Sequence, residues 1–343
     1  MILNKYFLAA NGYSGFRSYF DYVFKSENFK KIYVLKGGPG TGKSSLMRKI
    51  GESLAPEAES VEEIYCSSDT NSLDGIIISK KGEKIAIMDG TAPHERDAKV
   101  PGAIDEIVDL SRGWDKRLLL AQREKILELN KEKASAYKTA YSFLSIAGKI
   151  SDNSKGFASV MYKQDYSKFQ TYSKADCVCK ENICLISSFG KTGYSSLNTL
   201  NNSTTKTVSI RGNRHILYFY MNDLLNYLKL TSKEITRFPS PFDDKECEAI
   251  LVHDTNTLYK REIESDAADA DECFIPCEKE LEKIKKLDYL EKECLGEAQR
   301  WFNIASDFHF RLEKIYSSAM DFKIIDAITD EILTEIRNIL QTN

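Results

Sequence analysis

The chain has 343 residues, 42% of them hydrophobic and 29% charged, enough apolar side chains to fill the cores of two soluble domains of ordinary size. A net charge of −3 gives no overall attraction to nucleic acid, which is therefore not the expected partner. No apolar run approaches membrane-spanning length, and "MILNKYFLAANGYSGF" has too short an apolar core for a secretory signal, so a cytoplasmic protein without a membrane partner is expected.

Eight cysteines raise the question of a metal site. Cys177-x-Cys179-x₄-Cys184 and Cys273-x₃-Cys277 lack the paired C-x₂-C spacing of structural zinc, and no histidine stands at close ligand spacing to a cysteine pair. Reduced cytosolic thiols are the simpler reading.

Along the chain, Phe16–Phe24 reads as a short lead-in helix or loop, and Ile32–Leu35 as a buried strand. Residues 34–46, "VLKGGPGTGKSSL", then run from strand through a glycine-rich turn into a helix with Leu46, Met47 and Ile50 on its apolar face. The spacing Gly37-x-x-x-x-Gly42-Lys43-Ser44 fills the phosphate-loop pattern. Glycines tolerate the left-handed backbone that turns successive N–H groups inward, and the helix N-terminus favours an anion. Gly37, Gly38, Pro39, Gly40, Thr41, Gly42, Lys43, Ser44 and Ser45 are thus the expected nucleotide cradle. Lys43 would reach the β- and γ-phosphates, and Ser44 would ligate Mg²⁺.

Val61–Cys66 reads as the next strand, followed by the polar "SSDTNS" and by two apolar runs separated by a Lys-Gly turn. Such alternation predicts an α/β fold with a mostly parallel sheet. In "KIAIMDG" (84–90), Asp89 closes an apolar strand, as the aspartate that orients Mg²⁺ does. One strand-sized segment between the loop helix and this strand suggests the branch of AAA and RecA-like ATPases. Those enzymes often place a water-polarising glutamate after the aspartate, whereas this chain has Gly90. Asp69, Asp74, His94 and Glu95 are the candidates to replace it, with Asp69 and His94 foremost. The guanine-reading N-K-x-D fails at its last position in "NKEK" (130–133), so the expected nucleotide is ATP.

Trp114–Ile150 is helical in pattern: Leu119, Ile126, Ala140 and Ala147 share a seven-residue spacing interrupted only by Lys133, accompanied by Leu129, Ala136 and Phe143. One apolar side suits either internal packing or a protein partner. Ser151–Gly156 reads as a polar break, which puts a loop-bearing domain at 1–153, a linker at 154–182 and a second domain at 183–343. That second domain echoes the first. "LISSFGKTGYSSL" (185–197) lies over "FLAANGYSGFRSY" (7–19), and "KTVSIRG" (206–212) over "KIYVLKG" (31–37). From Met221 to Val252 the register runs ungapped against Met47 to Ile78, with Asp243 on Asp69, and a helical tract from Glu278 to Leu340 closes the half. A common order of weak matches predicts a duplicated fold. Leu217 and Tyr218 fall where Lys43 and Ser44 would be, so the second copy is expected to bind no nucleotide; its Arg211 or Arg214 could lend charge to the first site.

Four motifs carry a resemblance to an uncharacterised family of bacterial tandem P-loop ATP-binding proteins: Ala10–Tyr22, Lys36–Met47, Cys66–Ile78 and Ile85–His94. The resemblance implies ATP binding and a duplicated P-loop NTPase three-layer sandwich, with long helices after each half. Family members usually keep a second phosphate loop, which this chain lacks. Three functions follow as expectations: an Mg²⁺-dependent ATPase driving a conformational change, a kinase for a small molecule, or an ATP-dependent switch that does not hydrolyse.

Overall fold

The computed structural model describes residues 4–163, 178–197, 199–200, 206–263 and 277–341. The first half contains β1 (Lys5–Phe7), the hairpin β2 (Ala9–Gly12) and β3 (Gly15–Ser18), α1 (Phe20–Val23), β4 (Lys31–Lys36), α2 (Lys43–Leu54), β5 (Ser60–Tyr65), β6 (Leu73–Lys80), β7 (Glu83–Asp89), β8 (Asp105–Asp109), α3 (Lys116–Ala121) and α4 (Arg123–Ser159). The second contains β9 (Lys180–Ile183), the hairpin β10 (Ser187–Gly190) and β11 (Gly193–Ser196), β12 (Lys206–Gly212), α5 (Arg214–Thr231), β13 (Glu234–Pro239), β14 (Cys247–Val252), β15 (Thr257–Ile263), α6 (Glu278–Ser318) and α7 (Phe322–Gln341). The molecule is α/β. Among the described residues, no helix is long and apolar enough to cross a membrane.

Both large sheets are mixed, not mostly parallel. The first has the order β1-β5-β6-β7-β4-β8, with β6 antiparallel to both neighbours. The cause is local. Lys81 and Gly82 (φ 49° and 82°) make a two-residue turn, which can join only antiparallel strands, since a parallel return needs a crossover of about a dozen residues. Two strands, β5 and β6, therefore lie between α2 and β7, and β7 pairs directly with β4, Leu35 opposite Asp89. This corrects the count of one intervening strand on which the comparison with AAA and RecA-like ATPases rested.

The second sheet has the order β12-β15-β14-β13-β9. Read against β4-β7-β6-β5-β1, every neighbouring pair has the same sense: parallel, antiparallel, antiparallel, parallel. Phe7 and Leu185, which follow the same position in each half, exchange N–H···O bonds of 2.8 and 3.0 Å across the junction.

Each sheet carries its long helices on one face, while the short α1 lies on the other face of the first sheet, with Phe20 beside Ile32 and Val34. Leu46, Met47 and Ile50 of α2 pack with Ile325, Ile328, Ile332 and Ile336 of α7 over Tyr33 and Leu35. Alternate residues of β4, Ile32 and Val34, face a core shared with Phe238, Ala249, Leu251 and Leu258 of the other sheet. Beyond it, Leu224 and Leu228 of α5 cover Ile235 and Ile250. The layers are helix, sheet, sheet, helix, not the expected three per half. A strand apolar on both faces looks the same in sequence whether a helix or a second sheet covers it.

The helices also cross between halves. Helix α4 continues through the expected break at Ser151–Gly156, because Ser151 and Lys155 are inward-facing and bonded to Arg214 (3.3 Å) and Asp243 (2.7 Å) of the second half. Residues 164–177 of the expected linker lie outside the described residues. In return α6, antiparallel to α4 through Ala140, Leu144, Ala298 and Phe302, ends beside the first half, where α7 docks on the first sheet.

Candidate phosphate-loop site

The site starts from a rigid strand. Ile32, Tyr33, Val34 and Leu35 are fully buried, so the chain leaves the sheet at Lys36 in a fixed direction. Gly40 (φ 70°) and Gly42 (φ 84°) hold left-handed backbone that a side chain would resist. Gly42 caps α2 without a side-chain bond, leaving the first N–H groups of the helix to a ligand.

Lys43 folds back across this turn. Its Nζ donates to the carbonyls of Gly37 (2.8 Å) and Gly38 (3.0 Å) and lies 3.5 Å from Oδ2 of Asp89. Oδ1 of Asp89 accepts from the N–H (2.8 Å) and hydroxyl (2.6 Å) of Thr91, which fixes the carboxylate plane and leaves Oδ2 toward the loop. Thr41 closes the turn onto Gly38 O at 2.9 Å. Ser44 Oγ accepts from Leu73 N–H at 2.9 Å, joining the first turn of α2 to the loop 66–72. Ser45 is exposed. The turn thus brings Lys43 and Asp89 together at the start of α2, with Ser44 the next residue of the helix.

The other candidates divide. His94 turns inward: its Nε2 lies 3.1 Å from Asp74 Oδ2, and its ring stacks on Phe20 at 4.3 Å. Both members of the pair are under a tenth exposed. Asp69 is on the surface of the loop 66–72, its Oδ2 2.7 Å from Nζ of Lys191 in the second half. Partial burial pushes its carboxyl up, but the ammonium and the N–H of Asn71 outweigh that and hold it below the usual range. Glu95 is exposed in a cleft of about 450 Å³ with Lys36, Gly90, Thr91 and Asp97. At Gly90 itself a Cβ would overlap Val34 Cγ1.

Sequence reasoning missed the residues that back the loop. A Cβ on Gly38 would lie 3.2 Å from the Trp114 ring, one on Gly40 2.6 Å from Glu313 O, and one on Gly42 3.7 Å from Phe322 and Ile325. The elbow between α6 and α7 is therefore packed on the outside of the turn. Glu313 lies 273 positions beyond Gly40, and no spacing rule could bring it, Phe322 or Ile325 to the loop.

The matching place in the second half is filled. β12 ends at Gly212 and α5 begins at Arg214, so a single residue, Asn213, replaces the whole turn. Its side chain caps His215 N–H at 2.9 Å. An extra helical turn leads to Leu217, which is fully buried, while the Tyr218 ring lies under Lys155. Arg261 pairs with Ile210 as Asp89 pairs with Leu35, and it is bonded to Glu246 and to Glu248 (3.2 Å). Arg214 is held by Glu291 at 2.5 Å and Arg211 by Glu262 at 3.0 Å, so neither turns to the first site, contrary to the expectation. His215, Asp288 and Glu291 lie close enough to share a cation, but Glu291 already receives Arg214 and Tyr13.

No protein-family model matches the chain, and no curated protein or solved structure matches it.

Proposed function

We propose that residues 37–45 bind Mg²⁺·ATP and that the chain is an ATPase whose turnover moves the α6–α7 elbow. The observation that carries this reading is the position of Lys43, its ammonium spanning the turn between two loop carbonyls and the carboxylate of Asp89, at the start of an uncapped helix. An incoming phosphate would take the ammonium from the carbonyls, exchanging weak neutral acceptors for charge-assisted ones. Ser44 and Asp89 offer hard oxygen donors of the kind Mg²⁺ prefers, and Asp89 keeps Oδ2 clear of Thr91. Bound there, the ion would neutralise phosphate charge.

The same reading includes a P-loop fold, duplicated, with a second copy that has lost its loop. Matching strand order and pairing sense support the duplication, and the four sequence motifs support kinship with the tandem P-loop family. A slow, switch-like cycle is the second reading, and Gly90 favours it, because that position carries no base and has no room for one. Transfer to a small molecule bound in the cleft beside Gly90 is the remaining alternative.

Calorimetric titration with a slowly hydrolysed ATP analogue and Mg²⁺ tests the reading. One site per chain is expected in the wild type and none in Lys43→Ala, with both proteins equally folded by circular dichroism. Unchanged affinity in the variant would refute the site. Phosphate release with and without cell metabolites then separates hydrolysis, transfer and switching.

A further inference from the structure

The two hairpins reach across the molecule in matching ways. Gly12 pairs with Gly15 and Gly190 with Gly193, so Tyr13 and Lys191 occupy the same place at the two tips. Each tip lies on the other half: a Cβ on Gly12 would meet Phe242 O at 2.7 Å, and one on Gly190 would meet Ser67 O at 3.0 Å. Tyr13 donates to Glu291, and Glu291 binds Arg214, the first residue of α5. A tip residue of one half thus reaches, through a single carboxylate, the helix start of the other.

At the open site the tip residue is Lys191. Its ammonium is held by Asp69, in the loop whose end, Leu73, bonds Ser44 at the start of α2. Gln299 of α6 donates to its carbonyl at 3.3 Å, so the backbone is pinned while the long side chain can swing about it. Arg211 and Arg214 are bonded to Glu262 and Glu291 of the second half.

We infer that Lys191 is the cation that the second half supplies to the γ-phosphate, with Asp69 as the residue that positions it. The inference rests on the ATP reading above. In hydrolysis the water oxygen bonds to the γ-phosphorus as the β,γ-bridging P–O bond breaks. ADP leaves with that electron pair, and the water proton passes to the released phosphate. Lys191 exchanges no proton and forms no bond; it offsets charge on the γ-oxygens, a task for which a cation delivered in cis is suited.

The test compares wild type, Lys191→Ala and Lys191→Arg in two measurements. Phosphate release should fall about a hundredfold or more in Lys191→Ala while analogue affinity stays within about threefold, and Lys191→Arg should recover most of the rate. ADP with aluminium fluoride, a mimic of the transferring phosphoryl group, should be trapped by wild type and Lys191→Arg but not by Lys191→Ala, even where turnover is slow. Equal trapping and equal rates in all three would overturn the inference and leave the ATP site standing. A wild type that binds the analogue but forms no trap would also overturn it. A wild type that binds no nucleotide would refute the ATP reading itself.

Discussion

Gly90 is packed so closely under Val34 that a Cβ at position 90 would overlap the valine Cγ1, and Leu35 O accepts the Gly90 N–H at 3.0 Å. The residue after Asp89 is thus a packing residue of the β4–β7 pair, which explains why no carboxylate follows the aspartate. The fault is steric as well as chemical.

Placing a side chain there is expected to fail as a way of raising turnover. Gly90→Ala should cost about 1–3 kcal/mol of stability by overpacking, and Gly90→Glu more, with no gain in phosphate release. Urea unfolding of both variants, followed by a rate measurement at a temperature where they are folded, checks this. A stable Gly90→Glu would mean that the β4–β7 contact is looser than it stands.

Arg261 gives a second prediction. It is nearly buried between Glu246 and Glu248, and Glu248 also accepts from Ser187 (2.6 Å) and Tyr194 (3.0 Å). Removing the guanidinium strands two interior carboxylates. Arg261→Met should therefore destabilise by about 3–5 kcal/mol, and adding Glu246→Gln and Glu248→Gln should restore part of the loss. Nucleotide affinity of the refolded variant should be unchanged, because the cluster belongs to the half without a phosphate loop. A drop in affinity larger than about tenfold would show that the second half shapes the first site through this network.

Acid should act through Asp105. Burial pushes its carboxyl up, but the Val100 N–H (2.6 Å), Ser26 (2.8 Å) and Arg96 (3.2 Å) together hold it below the usual range. A carboxyl lowered on folding contributes stability that is complete above its unfolded value, about 3.9, and is lost as pH falls through the folded one. Asp105→Asn should thus be less stable than wild type at pH 7, and the gap should narrow below about pH 4. Urea midpoints at pH 7, 5 and 3 decide it; a gap that does not change with pH would assign the effect to packing.

The backbone of the first loop was legible because it is local. Strand, glycines, lysine and serine are consecutive, and Asp89 ends a strand whose apolar run fixes its direction. The matching order of the second half was legible too, since elements repeat along the chain. Other features depend on which surfaces meet. A strand buried on both faces does not record whether a helix or another sheet lies over it, so the paired sheets came only from the tertiary structure. His94, read from the sequence as a candidate to replace the missing glutamate, is turned into the interior, because Phe20 and Asp74 give its ring a place to stack and bond. Lys191 beside Asp69 and Glu313 behind Gly40 are contacts between distant parts of the chain, set by the hairpin exchange and the crossing helices. Local backbone geometry is written in neighbouring residues. Contacts across the molecule are decided by how apolar faces pack, and many sequences of the same pattern would pack differently.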